Sequence, residues 1–260
     1  MAQKLSLKFN QSNFSDLLSK LKDLTGIEDT IKIRFDKDHM LLYSVLSNEQ
    51  QVAALKTYLL PTQDYLIGFN EEETFDFIIT PASKFVKNIQ FFNTDAQIKF
   101  DFIYKPLPED DTTMHVRSAQ LSNGKLKISC IGGEEYKIRE VTKKFIDLRL
   151  NPKNSKWSFK VSNSDFSDVK KLSSINSEDK IININVENGV VTFNETSKWE
   201  LEVDKIQTKN QHLVFGKKYL SNINCDQEFM QFNIFETFIH VRENDSNLML
   251  SFEQDFSTDD

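Results

Sequence analysis

Along most of the chain apolar and polar residues alternate one for one, as in Ile31-Lys32-Ile33-Arg34-Phe35, Ile98-Lys99-Phe100-Asp101-Phe102 and Ile182-Asn183-Ile184-Asn185-Val186. Successive side chains of a strand point to opposite faces, so these runs predict half-buried strands with one solvated side. Short polar turns separate them: Asp36-Lys37-Asp38, Ser122-Asn123-Gly124, Glu187-Asn188-Gly189 and Glu243-Asn244-Asp245-Ser246-Asn247. Hairpins, and hence antiparallel sheets, are expected.

Four segments depart from the period of two. Ser12–Thr25 places Phe14, Leu17, Leu18, Leu21 and Leu24 at helical spacing, with Ser12 as the expected N-cap. Pro81–Phe92 opens on a proline suited to a first turn and aligns Phe85, Ile89 and Phe92. Asn163–Asn176 does the same with Phe166, Val169 and Leu172, and Gly216–Asn224 with Leu220 and Ile223.

The pattern is written twice. With Leu5 set against Trp157, the segments LSLKFNQSNFSDLL and WSFKVSNSDFSDVK match at Ser6/Ser158, Lys8/Lys160, Ser12/Ser164, Phe14/Phe166, Ser15/Ser167 and Asp16/Asp168 without a gap. A second echo sets KFVKNI and AQIKF (from Lys84 and Ala96) against KYLSNI and MQFNI (from Lys218 and Met230). Repeats this far apart are whole domains and not layers of a solenoid. The expected division is residues 1–140, a connector at 141–152 (VTKKFIDLRLNP), and residues 153–260. The fold class is α+β, two copies of a β-rich domain with two helices each.

Charge sharpens this picture. The 260-residue chain has net charge -7, yet the four helical segments hold eight lysines against four aspartates, leaving about -11 on the remainder. Lys20, Lys22, Lys84, Lys87, Lys170, Lys171, Lys217 and Lys218 are therefore candidate nucleic-acid contacts, with Asp16 and Asp23 on the outer face of the first helix. No arginine occurs in these segments.

Other chemistry finds little support. The two cysteines and four histidines form no metal-ligand or nucleophile spacing, no phosphate-binding glycine loop is present, and Gly132-Gly133 reads as a turn. No carboxylate stands in an apolar run in a way that suggests a tuned acid or base, so no catalytic residue, metal or cofactor is assigned. Without an apolar leader or membrane-length apolar stretch, an intracellular location is expected.

Two tandem β-rich domains, lysine-bearing helices and a connector together resemble the DNA sliding-clamp (processivity factor) family, which includes proliferating cell nuclear antigen and the clamps of T-even-type bacteriophages. The likeness spans essentially the whole chain. KIININVENGVVTFN (Lys180–Asn194) and NLMLSFEQDF (Asn247–Phe256) look like the phage members' hairpin and final strand. The resemblance implies duplicated clamp domains with antiparallel sheets outside and helices on the inner face, and a homotrimeric ring around duplex DNA. It also implies a DNA polymerase tethered to that ring and an ATP-dependent clamp loader that opens it.

A partner-peptide pocket near the connector is expected from Val45, Leu46, Phe145, Ile146 and Phe252. Subunit contacts are expected on edge strands at Tyr136–Val141, with Tyr136 and Ile138, and at Trp199–Val203, with Trp199, Leu201 and Val203. The clamp would work in the cytoplasm of an infected bacterium if viral, or in a nucleus if eukaryotic. The alternatives are a viral structural or assembly protein built from a duplicated β-domain and a checkpoint clamp subunit.

Overall fold

The computed structural model describes residues 3–47, 51–92, 97–107, 110–133, 138–175, 181–187, 190–193, 199–202, 211–223, 228–243 and 245–252. It divides into two compact units, Met1–Leu46 with Lys56–Lys143, and Ser47–Leu55 with Lys144–Asp260.

The first unit runs β1 (Gln3–Phe9), α1 (Gln11–Leu24), β2 (Ile31–Phe35), β3 (His39–Ser47), the later part of β4 (Val52–Pro61), a one-turn α2 (Thr62–Tyr65), β5 (Leu66–Ile67), β6 (Thr74–Ile79), α3 (Ala82–Ile89), β7 (Lys99–Leu107), β8 (Asp110–Ser122) and β9 (Lys127–Ile131). Its strands lie in the order β3-β2-β6-β8-β7-β1-β5, and β9 pairs with the far end of β8. One pairing is not a hairpin: β6 and β8 run parallel from Thr74↔Thr113 to Asp76↔His115. The Asp36 turn forms as expected, its carboxylate accepting the Asp38 and His39 N–H groups at 2.8 Å.

The helix α1 starts one residue before the expected segment. Asn10, in extended backbone, accepts the Ser12 N–H at 3.3 Å and takes the capping role expected of Ser12. α1 buries Phe14, Leu17, Leu21 and Leu24 on one side. α3 stops at Ile89 instead of Phe92, because the Phe91 and Phe92 N–H groups reach back three residues, to Asn88 and Ile89, and tighten the last turn. Both helices bury their apolar sides in one core with alternate residues of the sheet, including Phe35, Phe75, Phe77, Phe100 and Phe102. There the rings interlock, Phe35 stacked on Phe75 at 5.4 Å and Phe75 edge-on to Phe102 at 5.5 Å.

Gly132 is not part of a turn. It bridges to Ile79 and donates its N–H to the Arg117 carbonyl at 2.6 Å, and a Cβ there would sit 2.1 Å from the Val116 oxygen. Only glycine lets these backbones approach so closely.

The second unit contains α4 (Lys143–Arg149), a 3-10 turn at Pro152–Asn154, β10 (Trp157–Ser162), α5 (Asn163–Ile175), β11 (Ile181–Glu187), β12 (Val190–Phe193), β13 (Trp199–Glu202), β14 (Gln211–Gly216), a 3-10 helix at Lys217–Asn222, β15 (Phe229–Ile234), β16 (Phe238–Glu243) and β17 (Ser246–Ser251). Two antiparallel sheets result, β10-β15-β16-β17 and β13-β12-β11-β14. The helix expected at Gly216–Asn224 is 3-10 and not α, since six residues close too few α-type bonds to offset nucleation. α4 was not expected, because Ile146 is its one buried apolar residue and gives too short a periodic signal.

The duplication is visible in the pairing. In each unit the strand before the long helix, α1 or α5, pairs antiparallel with the strand that follows the later helical segment, α3 or Lys217–Asn222: β1 with β7 and β10 with β15.

His240 is fully buried in the β15-β16-β17 sheet, its Nε2 3.0 Å from the Asn247 side-chain oxygen and its Nδ1 3.4 Å from the Asn233 amide nitrogen. Burial pushes the imidazole down to about 4, outweighing the Asn247 hydrogen bond, and holds it neutral. An unfolded histidine titrates near 6.5, so as pH falls below that value the unfolded chain takes up a proton that the folded chain refuses. We expect unfolding in urea to ease progressively between pH 6.5 and 4, by at most about 3 kcal/mol from this residue, and His240→Gln to flatten that slope. Gly132→Ala should lower the melting temperature of the first unit by several degrees, the loss expected of a backbone clash.

Candidate nucleic-acid interface

α1 and α3 touch each other on the core side of the first unit's sheet, and in the second unit α5 touches both β10 and the 3-10 helix. Burying the apolar stripe of α3 leaves Lys84 and Lys87 exposed. Lys22 on α1 is exposed as well, and none of these three forms an ion pair with any described residue. In the second unit Lys171 is exposed but pairs with Asp168 at 2.7 Å, and the exposed Lys218 ammonium lies 4.8 Å from the Tyr219 ring centre. Lys170 is half-buried, 5.8 Å from the Phe166 ring, and the Lys217 side chain lies outside the described residues.

Lys20 is engaged inside its own unit. Its ammonium bonds Asp16 at 2.8 Å and sits 5.2 Å from the Tyr58 ring, leaving the side chain 14% exposed. Asp16 and Asp23, expected on the outer face, turn instead toward β4 and α2. Asp16 accepts the Tyr65 hydroxyl at 2.5 Å, while Asp23 accepts the Tyr58 hydroxyl at 2.5 Å and the fully buried Lys56 ammonium at 2.7 Å. Partial burial works to raise the Asp16 carboxyl, but Lys20 and Tyr65 outweigh it and hold it below the ordinary carboxylate value. The hint was present in the sequence, where Lys56 interrupts the otherwise apolar VAALKTYLLP.

The pocket candidates separate by exposure. Val45 and Ile146 are buried, Leu46 and Phe145 half-buried, and Phe252 half-buried with its N–H on the Thr237 carbonyl at 3.0 Å. Exposed apolar surface on α4 comes from Leu148, at 58%.

Of the two expected edge strands, one is corrected. Residues 138–142 form no strand, and the half-buried Ile138 lies in irregular backbone, because Glu140 and Val141 are bound to the face of the sheet and not to its rim. Tyr136 and Val203 lie outside the described residues. Trp199 and Leu201 belong to β13, the end strand of its sheet among the described strands. In the first unit the comparable end strand is β9, which among the described strands pairs with β8 alone and exposes Ile131 at 79%.

A charged cluster that the alternation pattern concealed lies on the face of the first sheet opposite the helices. Asp76, between Phe75 and Phe77 in TFDFII, is 2% exposed, so a carboxylate does stand in an apolar run. It holds the Arg34 Nε and Nη2 at 2.7 Å each and the Lys32 ammonium at 2.7 Å. Burial works against the Arg34 charge, but Asp76 and then Glu140 outweigh it and raise the guanidinium above its ordinary value. The arrangement is an ion-pair network without the open, poised group that acid–base catalysis requires. Elsewhere, Asp36, Asp38 and His39 bring three possible metal-ligand atoms within 4.8 Å, on a turn where Asp36 and His39 are half-buried and Asp36 already accepts two backbone N–H groups.

No family model matches the chain, and comparison with curated proteins finds no match. Solved structures do match. The DNA polymerase III subunit beta from Pseudomonas aeruginosa aligns at TM-score 0.63 and 9% identity over 99% of this chain and 66% of its own. The Helicobacter pylori beta clamp bound to DNA ligase peptide aligns at 0.64 and 16%, over 96% of this chain and 65% of its own. A chain of the PCNA2-PCNA3 complex from Sulfolobus tokodaii aligns at 0.58 and 11%, over 97% of this chain and 99% of its own. The chain thus spans just under two thirds of the bacterial clamps and nearly all of the archaeal subunit.

The buried pair at α1 makes a direct test of how the helix is held. Asp23→Ala should destabilise the first unit by about 3 kcal/mol in chemical denaturation, because it removes the carboxylate that pairs with the fully buried Lys56 ammonium. Adding Lys56→Met should recover most of that loss.

Proposed function

Because the chain has the fold of the DNA sliding clamps, we propose that it is a processivity factor, a ring that encircles duplex DNA without reading its sequence and tethers a replicative DNA polymerase. The observation that carries this reading is the placement of cations. Solvent-facing lysines, and no arginines, occupy α1, α3, α5 and the 3-10 helix at Lys217–Asn222 in a chain that is otherwise acidic. A clamp must hold DNA and still slide. Lysine, a mobile and strongly hydrated point charge, attracts phosphate without the two-pronged grip of a guanidinium. Acidic surfaces elsewhere would disfavour DNA outside the ring.

In this reading Lys22, Lys84, Lys87, Lys171 and Lys218 face the duplex, Lys170 and Lys217 assist, and Lys20 serves stability. Three copies close the ring, which the match to almost the full length of an archaeal subunit supports. The contact between copies pairs β13, with its Glu200 and Glu202, against β9, with its Lys127. Both are end strands and their charges are opposite. The H. pylori clamp carries a ligase peptide. By analogy, Phe145, Phe252 and the exposed Leu148 of the second unit offer apolar side chains to a partner peptide. An ATP-dependent loader opens the ring, and the chain performs no catalysis of its own. No helix among the described residues is long and apolar enough to cross a membrane. The phage-like hairpin and final strand favour action in the cytoplasm of an infected bacterium.

The test is retention. Loaded by its cognate loader, the protein should sediment as three 30.3 kDa chains, stay on closed circular DNA, and run off when the circle is cut. Equal loss from circles and linear DNA would refute encirclement, and a structural protein would show no loader dependence. Lys84→Ala with Lys87→Ala should weaken duplex affinity about equally for all sequences and lower the salt slope by about two. Lys20→Ala should leave that slope unchanged and lower the melting temperature.

A further inference from the structure

We propose that Glu140 is a latch that straps residues 138–142 onto the face of the first unit's sheet, with the Arg34 guanidinium and the Lys32 ammonium as its catch. The charge count of the sheet requires a fourth member. Lys32 and Arg34 project from β2 and Asp76 from β6, giving two cations and one carboxylate in a largely buried patch. Asp76 balances one cation. Glu140 supplies the second carboxylate, with Oε2 3.2 Å from Lys32 and Oε1 in contact with Arg34 Nη1.

The two carboxylates are held differently. Asp76 takes the Nε and Nη2 prongs of Arg34 and is 3% exposed at its side chain, so water and salt scarcely reach it. Glu140 takes the remaining Nη1 and is 52% exposed, so water and salt compete for it. The cluster therefore has a permanent half and a releasable half. Residues 138–142 join no strand, the Val141 N–H reaches the Tyr43 hydroxyl only at 3.5 Å, and Val141 alone is buried. Val141 sets where the strap lies, and Glu140 keeps it there.

The latch needs no assumption about DNA. If the clamp reading holds as well, the latch governs how freely the connector that follows Thr142 can meet a partner peptide.

Amide hydrogen exchange on the full chain tests it. In Glu140→Gln, exchange at Val141 should quicken about tenfold while β2 and β6 keep their protection, and high salt should bring the wild type toward the same rate. Arg34→Lys, which keeps the charge but cannot reach both carboxylates, should also free the strap. Unchanged exchange in Glu140→Gln, protection retained in Arg34→Lys, or loss of protection spreading through β2 and β6 would each overturn the proposal. Failure of DNA retention would leave it standing.

Discussion

Burial of a phenylalanine-rich sheet face beneath helices is the constraint from which the rest follows. In the first unit Phe35, Phe75, Phe77, Phe100 and Phe102 must be covered, and Phe14, Leu17 and Leu21 of α1 and Phe85 and Ile89 of α3 cover them. Once those sides are committed to the core, the remaining sides of the helices face water. Lys22, Lys84 and Lys87 are exposed because the apolar stripe leaves them nowhere else to go. The same logic in the second unit buries Phe166 and Val169 and leaves Lys171 in solvent.

The opposite side of the sheet solves a different problem. A strand with one apolar face still has to do something with its other face. Here β2 and β6 place Lys32, Arg34 and Asp76 there, close enough to satisfy one another. Such a network contributes little net stability, because desolvation consumes most of the attraction. It contributes position: a forked guanidinium fixed by Asp76 can accept a further carboxylate in only a few places, and Glu140 occupies one of them. Lys56 and Asp23 do the same work at α1, joining helix and strand through a pair whose partners are too costly to separate.

Much of the fold was legible because it depends on local periods. Alternation in Ile31–Phe35 and the helical spacing of Phe14, Leu17 and Leu21 need no knowledge of distant residues, and the echo of β1-α1 in β10-α5 revealed the duplication directly. Readings that depend on neighbours across the chain were less secure. The parallel pairing of β6 with β8, the bridge at Gly132 and the irregular course of residues 138–142 each depend on residues far away in sequence. Helical segments of six or seven residues are also too short to display a period, which is why α4 was missed and the 3-10 helix misjudged.

Charges divide along the same line. The sequence by itself determined that two β-rich repeats would carry lysine on their helices, because composition and period are properties of the chain alone. Which of those lysines remain available was decided only by tertiary structure. Lys20 and Lys84 look alike in sequence, yet Asp16 and Tyr58 claim the first and no described side chain claims the second. A charge is free or spent according to what lies within a few ångströms of it, and folding sets that distance.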